Sequence, residues 1–129
     1  MRVLVYGAGQ LAQMMQLAAF PMGITVQAVD VATRSVVDAL TKQPVDISLE
    51  DAIAQATVLT AEFEHVPEDL LAQADASGKL QPNQAAILIG ADRVREKQLL
   101  TELKFRTVNM PLLMTSTNCP QSLRLWVKS

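Results

Sequence analysis

The sequence predicts an open α/β fold, a parallel sheet with helices on both faces, and three observations lead there. Val3-Leu4-Val5-Tyr6 is a near-continuous apolar run, the pattern of a strand buried on both sides within a parallel sheet. It breaks at Gly7-Ala8-Gly9 and gives way, from Leu11, to a helical period. A β-branched segment, Ile24-Thr25-Val26-Gln27-Ala28-Val29, then ends at Asp30, about twenty residues past the glycine turn. Strand, turn, helix and strand form a βαβ unit, the right-handed building block of such sheets.

Each element follows from local chemistry. In the first helix Leu11, Met14, Met15, Ala18, Ala19 and Met22 recur at helical spacing and are expected to form its buried face. Gly23 reads as its stop, with Pro21 distorting the last turn. Glycine at 7 and 9 lets backbone approach a ligand and aim unpaired N–H groups outward, so an anion at this helix start is the physical expectation. Residues 35–40 read as a short helix, and Pro44-Val45-Asp46-Ile47 as a short strand or loop.

Ser48-Leu49-Glu50-Asp51 has the character of a helix cap, and that helix runs to about Ala56. Residues 57–61 form the next strand. Pro67 suits the first position of a helix through Leu70, Leu71 and Ala74, ended by Gly78. Leu80-Gln81 reads as a short strand. Asn83 caps a helix over 84–89 closed by Gly90, and Asp92 caps a charged helix to about Leu103. Residues 107–113 read as extended, and a new helix begins at Pro120 with no obvious end before Ser129.

The 129 residues suffice for one domain with a sizeable core; half are apolar, 4% are aromatic and 19% are charged, so Leu, Ile, Val, Ala and Met must build it. A net charge of −2 gives no electrostatic case for a nucleic-acid or membrane surface, so any phosphate site is local. The longest apolar run, Ala85-Ala86-Ile87-Leu88-Ile89, is too short to span a bilayer, and a strand starting at the second residue leaves no room for a signal peptide. Cys119 is the single cysteine, which excludes an internal disulfide and makes a reducing cytoplasm the default compartment.

Three constellations carry chemistry. Gly7-x-Gly9-x-x-Ala12 with Asp30 downstream reads first as a dinucleotide-binding turn, ahead of a structural turn that binds nothing. Gln10 adds a side-chain amide beside the exposed N–H groups, suiting a phosphate or small polar metabolite. Glu62-Phe63-Glu64 stands at the carboxyl end of a strand; alternation puts both acids on one side and the ring toward the core. Glu64 reads as a solvated loop residue, Glu62 as a ligand contact or loop residue alike, and His65 as a loop residue rather than a catalyst. In Asp92-Arg93-Val94-Arg95-Glu96-Lys97, Arg93 and Lys97 share a helix face, but only Arg93, in the first turn, is read as functional; the rest reads as a wet surface.

With these pieces in order the chain resembles the N-terminal, pre-ATP-grasp domain of 5-(carboxyamino)imidazole ribonucleotide synthases, also described as the ATPase subunit of phosphoribosylaminoimidazole carboxylase. The resemblance rests on GAGQLAQMM at 7–15, LTAEFEHVP at 59–67 and ADRVREKQLLTEL at 91–103. It implies a Rossmann-like domain over 1–105, then a linker and the start of an ATP-grasp domain over 106–129. It also implies that Gly9, Gln10, Leu11 and Glu62 contact aminoimidazole ribonucleotide and that Arg93 contacts ATP. ATP with Mg would serve the full-length enzyme, a cytoplasmic homodimer that phosphorylates bicarbonate and carboxylates the ribonucleotide's amine in purine biosynthesis. No residue of this domain is implied as a nucleophile, and the family's ATP-grasp core lies after residue 129, so the chain alone is expected to be an inactive fragment.

Family members usually read Gly-Gln-Leu-Gly-Arg-Met at the turn, where this chain has Ala12 and Gln13 for the Gly and Arg. Near 106–110 they often have Pro-Thr-x-Pro-Trp, against Arg106-Thr107-Val108-Asn109-Met110 here. Two alternatives stand beside this reading: another ATP-grasp purine enzyme such as formate-dependent glycinamide ribonucleotide transformylase, which usually has Glu in place of Gln10, and an NAD-binding domain of an oxidoreductase, supported by Asp30. A free-standing regulatory or assembly module is a third.

Overall fold

A computed structural model describes residues 1–106, so the expected segments at 107–113 and from Pro120, with Cys119, lie outside the described residues. The chain divides after Asp92 into two compact units. The first holds β1 (Arg2–Tyr6), α1 (Gln10–Ala19), a 3-10 turn (Phe20–Met22), β2 (Thr25–Asp30), β3 (Ser35–Asp38), α2 (Leu49–Gln55), β4 (Val58–Ala61), α3 (Glu68–Ala76) and α4 (Gln84–Ala91). The described part of the second is α5 (Arg93–Glu102).

The four strands lie in the order β3-β2-β1-β4, with β1 parallel to both of its neighbours. β3 runs antiparallel to β2, so the sheet is mostly rather than wholly parallel. This corrects the helix expected over 35–40. Asp30 turns the chain at once: its Oδ1 accepts from the N–H groups of Ala32 (2.9 Å) and Thr33 (3.3 Å), and Val36 and Val37 then enter the sheet as a buried edge strand. Leu80 makes only an isolated bridge to Leu59.

Alternation along β1 sends Leu4 and Tyr6 to one face and Val5 to the other, which creates two cores. Leu4, Tyr6, Val29, Val36 and Leu59 pack beneath Ile53 of α2, Leu70 and Leu71 of α3 and Ile87 of α4. On the opposite face Val5, Val26, Ala28 and Val37 meet α1 through Ala12 and Ala19, with Ala39 beside them. The helices lie on both faces, as expected.

The expected buried face of α1 is wrong in detail. Leu11, Met14, Ala18 and Met22 are exposed, and the inward line is Ala12, Ala19 and the half-buried Met15. The helix has no charged residue to mark an outer side, so periodicity alone had several faces to choose from; the small side chains went inward because they let helix and sheet approach closely.

Caps and stops agree with their chemistry. Ser48 Oγ accepts from Asp51 N (3.0 Å) and Asn83 Oδ1 from Ala86 N (3.0 Å). Gly23 and Gly78 hold left-handed backbone just beyond their helices. Pro67 is the residue before α3 rather than its first, and Gly90 lies inside α4 rather than closing it. Lys79 donates to Ile53 O (2.9 Å) and Ala54 O (2.8 Å), bringing a cation to the C-terminal end of α2.

Candidate functional site

The chain passes from β1 to β2 on one side of β1, and β4 lies on the other side. The crevice outside the carboxyl ends of β1 and β4 is therefore the switch point at which open α/β sheets hold ligands. Gly7-Ala8-Gly9 leaves β1 there and Glu62 leaves β4 beside it, with Glu62 N donating to Tyr6 O (2.9 Å).

Both glycines are required by what stands next to them. Gly7 has φ +118°, and a Cβ there would come within 2.8 Å of the Phe63 ring. A Cβ on Gly9 would lie 1.9 Å from Glu62 Oε1. The missing methyl is the seat of the carboxylate: Gly9 N donates to Glu62 Oε2 at 2.8 Å. Gly9 is the residue before α1, so this charge rests on the positive end of that helix.

The expected arrangement had an anionic ligand on these amides and Glu62 across the cleft. Glu62 instead occupies the first amide itself. The N–H groups of Gln10 and Leu11, next in the first turn, have no partner within the helix by the geometry of helix starts, and both residues are exposed. Glu62 also lines a cleft of about 250 Å³, together with Phe63, Glu64, Pro82, Ala86 and Ile87. Phe63 packs partly against the core, whereas Glu64 and His65 are exposed.

Lys42 is a site neighbour that sequence reasoning missed. Its Nζ donates to Ala8 O and to Gly9 O (2.5 Å), placing a cation on the outer side of the glycine turn. The tight turn after β3 puts it there. Asp38 Oδ1 accepts from Thr41 N (2.7 Å), Thr41 Oγ1 (2.9 Å) and Leu40 N (3.0 Å), and Lys42 takes left-handed backbone with φ +62°. The Thr41 amide, foremost among these donors, holds the Asp38 carboxyl below its ordinary value. No spacing links Lys42 to residues thirty-odd positions earlier; only the antiparallel β3 brings it back.

The structure thus brings together Gly9, Gln10, Leu11 and Glu62, and adds Lys42. Asp30 is engaged in its own turn. Arg93 belongs to the second unit, where its guanidinium pairs with Glu96 (2.5 Å) on the surface of α5. Among the described residues no group of three or more His, Cys, Asp or Glu is placed to hold a metal ion, and no helix is long and apolar enough to cross a membrane. Among the described residues the Mg implied by the resemblance finds no ligand set. The arrangement gathers acceptor oxygens, helix-start amides and an apolar shelf around Glu62.

Residues 1–91 match the family model for the ribonucleotide synthetase preATP-grasp domain. The chain is 49% identical over 115 residues to N5-carboxyaminoimidazole ribonucleotide synthase of Vibrio vulnificus (strain YJ016), covering 89% of this chain and 30% of that protein. It is 32% identical over 121 residues to the synthase of Escherichia coli (strain K12), covering 92% and 30%. Among solved structures, the N5-carboxyaminoimidazole ribonucleotide synthetase of Thermus thermophilus superposes with a TM-score of 0.65 at 26% identity, over 81% of this chain and 31% of that one. The Aspergillus clavatus synthase, solved with ADP and 5-aminoimidazole ribonucleotide, gives 0.58 at 26% identity, over 79% and 29%. The chain spans about 30% of the length of these curated relatives.

Proposed function

Since the chain belongs to the ribonucleotide synthetase preATP-grasp family, we propose that its switch-point crevice holds 5-aminoimidazole ribonucleotide for a cytoplasmic ligase of purine biosynthesis. That ligase uses ATP to activate bicarbonate and transfers the carboxyl group to the ribonucleotide's amine. The observation that carries the site is the Glu62 carboxylate seated on the Gly9 amide.

That seat supports a specific reading of what the site recognises. With Oε2 held by Gly9, Glu62 turns its remaining acceptor capacity toward ligand donors, the hydroxyls of a ribose or the amine of the base. A phosphate is not drawn to an amide already carrying a carboxylate, so the ligand's anionic end lies away from Gly9. On one side of Glu62 stand the Gln10 and Leu11 amides and the Gln10 side chain, and on the other the apolar shelf of Phe63, Pro82 and Ala86 that it shares a cleft with, a surface suited to a flat polar heterocycle. Arg93 is the residue we assign to ATP. These residues bind and orient, and activation of bicarbonate requires groups beyond them, so the 129-residue chain alone is expected to show no ribonucleotide-dependent ATP hydrolysis.

The test is a titration of the isotopically labelled chain with 5-aminoimidazole ribonucleotide, followed by amide resonances. Gly9, Gln10, Leu11 and Glu62 should move together, and Glu62→Gln should weaken binding by about tenfold, the size of one hydrogen bond to a charged group. Gly9→Ala should act likewise by evicting the carboxylate. Resonances that respond to NAD and not to the ribonucleotide would overturn the proposal. The dinucleotide reading relied on Asp30, whose carboxylate is already engaged by Ala32 and Thr33.

A further inference from the structure

Lys42 holds the far end of the peptide on which Glu62 sits. Its Nζ donates to Ala8 O and to Gly9 O (2.5 Å), while Gly9 N, in the same planar unit as Ala8 O, donates to Glu62 Oε2 (2.8 Å). A trans peptide points its N–H and C=O in opposite directions, so ammonium and carboxylate grip the Ala8–Gly9 peptide from its two ends. The Gln10 N–H likewise runs opposite to the Gly9 carbonyl that the lysine holds. On the reading that the crevice holds the ribonucleotide, we propose that Lys42 is a positioning residue for it. By fixing two carbonyls of the glycine turn, it aims the Gly9 amide at Glu62 and the Gln10 amide at the ligand.

The lysine is aimed by its own turn. Lys42 N donates to Asp38 O (2.9 Å) and Asp38 N to Gln43 O (2.9 Å), and the Asp38 carboxylate holds Leu40 N and Thr41 N. This leaves Lys42 in left-handed backbone at φ +62°, where glycine would sit with less strain. What glycine would lack is the ammonium. The same turn touches α1 a second time, Leu40 O accepting from Gln13 Nε2 (3.4 Å). No charged residue occurs between Arg2 and Asp30, so β1, the glycine turn and α1 bring no cation to these carbonyls, and the turn after β3 supplies it. Within α1, Gly9 O receives only a long bond from Gln13 N (3.4 Å), which makes the lysine its closer partner. A cation at one end of a peptide and an anion at the other polarise it in the same sense, which strengthens both bonds.

Lys42→Gly separates this role from a structural one. Glycine suits φ +62°, so the variant should melt no lower than the wild type although the ammonium is gone. In the ligand-free, isotopically labelled chain its Gly9 amide proton should move upfield as the bond to Glu62 weakens, and the Gln10 resonance should shift with it. Affinity for 5-aminoimidazole ribonucleotide should fall about fivefold, the worth of one net hydrogen bond. Lys42→Met should behave alike, and Lys42→Arg, which keeps a cation with several donors, should stay within about twofold of the wild type. Unmoved Gly9 and Gln10 resonances in Lys42→Gly, or an affinity equal to that of a wild type that binds, overturn the role of Lys42 alone. So does a variant that loses stability along with affinity, because the lysine would then serve the fold. A wild type whose site amides ignore the ribonucleotide overturns the reading of the crevice, and the positioning role falls with it.

Discussion

The two faces of the sheet are equally apolar in sequence and are finished in opposite ways. On one, α2, α3 and α4 bury large side chains, with Leu59, Leu70 and Leu71 almost fully enclosed. On the other, among the described residues, α1 makes contact through Ala12, Ala19 and Met15 and turns Leu11, Met14 and Leu17 outward. Hydrophobicity tells which residues avoid water, but close approach decides which of them reach the sheet. In α1 the small ones won.

The comparison is sharpened by substitutions ordered by effect. Leu71→Ala, which opens a cavity in the three-helix core, should lower unfolding free energy by about 3 kcal/mol in chemical denaturation. Ala12→Leu should lower it by about 2 kcal/mol, because that contact has no room for added methylenes. If Ala12→Leu were neutral, α1 would be loosely seated and the contrast would fail.

Tyr6→Phe should be neutral or stabilising by up to about 1 kcal/mol at neutral pH, since the Tyr6 hydroxyl is buried without a hydrogen-bond partner. Burial pushes its pKa up to about 12. The folded state then holds its proton more tightly than the unfolded chain, so the wild type should lose stability as pH rises from about 10 to about 12, a loss Tyr6→Phe lacks. Leu17→Ala should change the stability of the monomer by less than about 0.5 kcal/mol. An effect as large as that of Leu71→Ala would show that the outer face is not outer at all.

What was legible in the sequence follows the same division. The strand, glycine turn and helix at the start could be read because composition and period change together there, and the Ser48 and Asn83 caps because each is a local hydrogen bond. β3 could not, since Ser35–Asp38 is too short for a period to declare itself and its edge position is fixed by Asp30 and β2. Glu62 was visible as a strand-end acid. Its grip on Gly9 was not, because the two are 53 residues apart and meet only when β1 and β4 pair.

That grip ties two positions into one unit of change. Any side chain at residue 9 evicts the acid, and losing the acid removes the steric reason for leaving residue 9 bare. Replacing both together should therefore do less harm than the separate losses combined, and a descendant that adopts another substrate has a ready route: abandon the pair in one step and furnish the vacated corner anew.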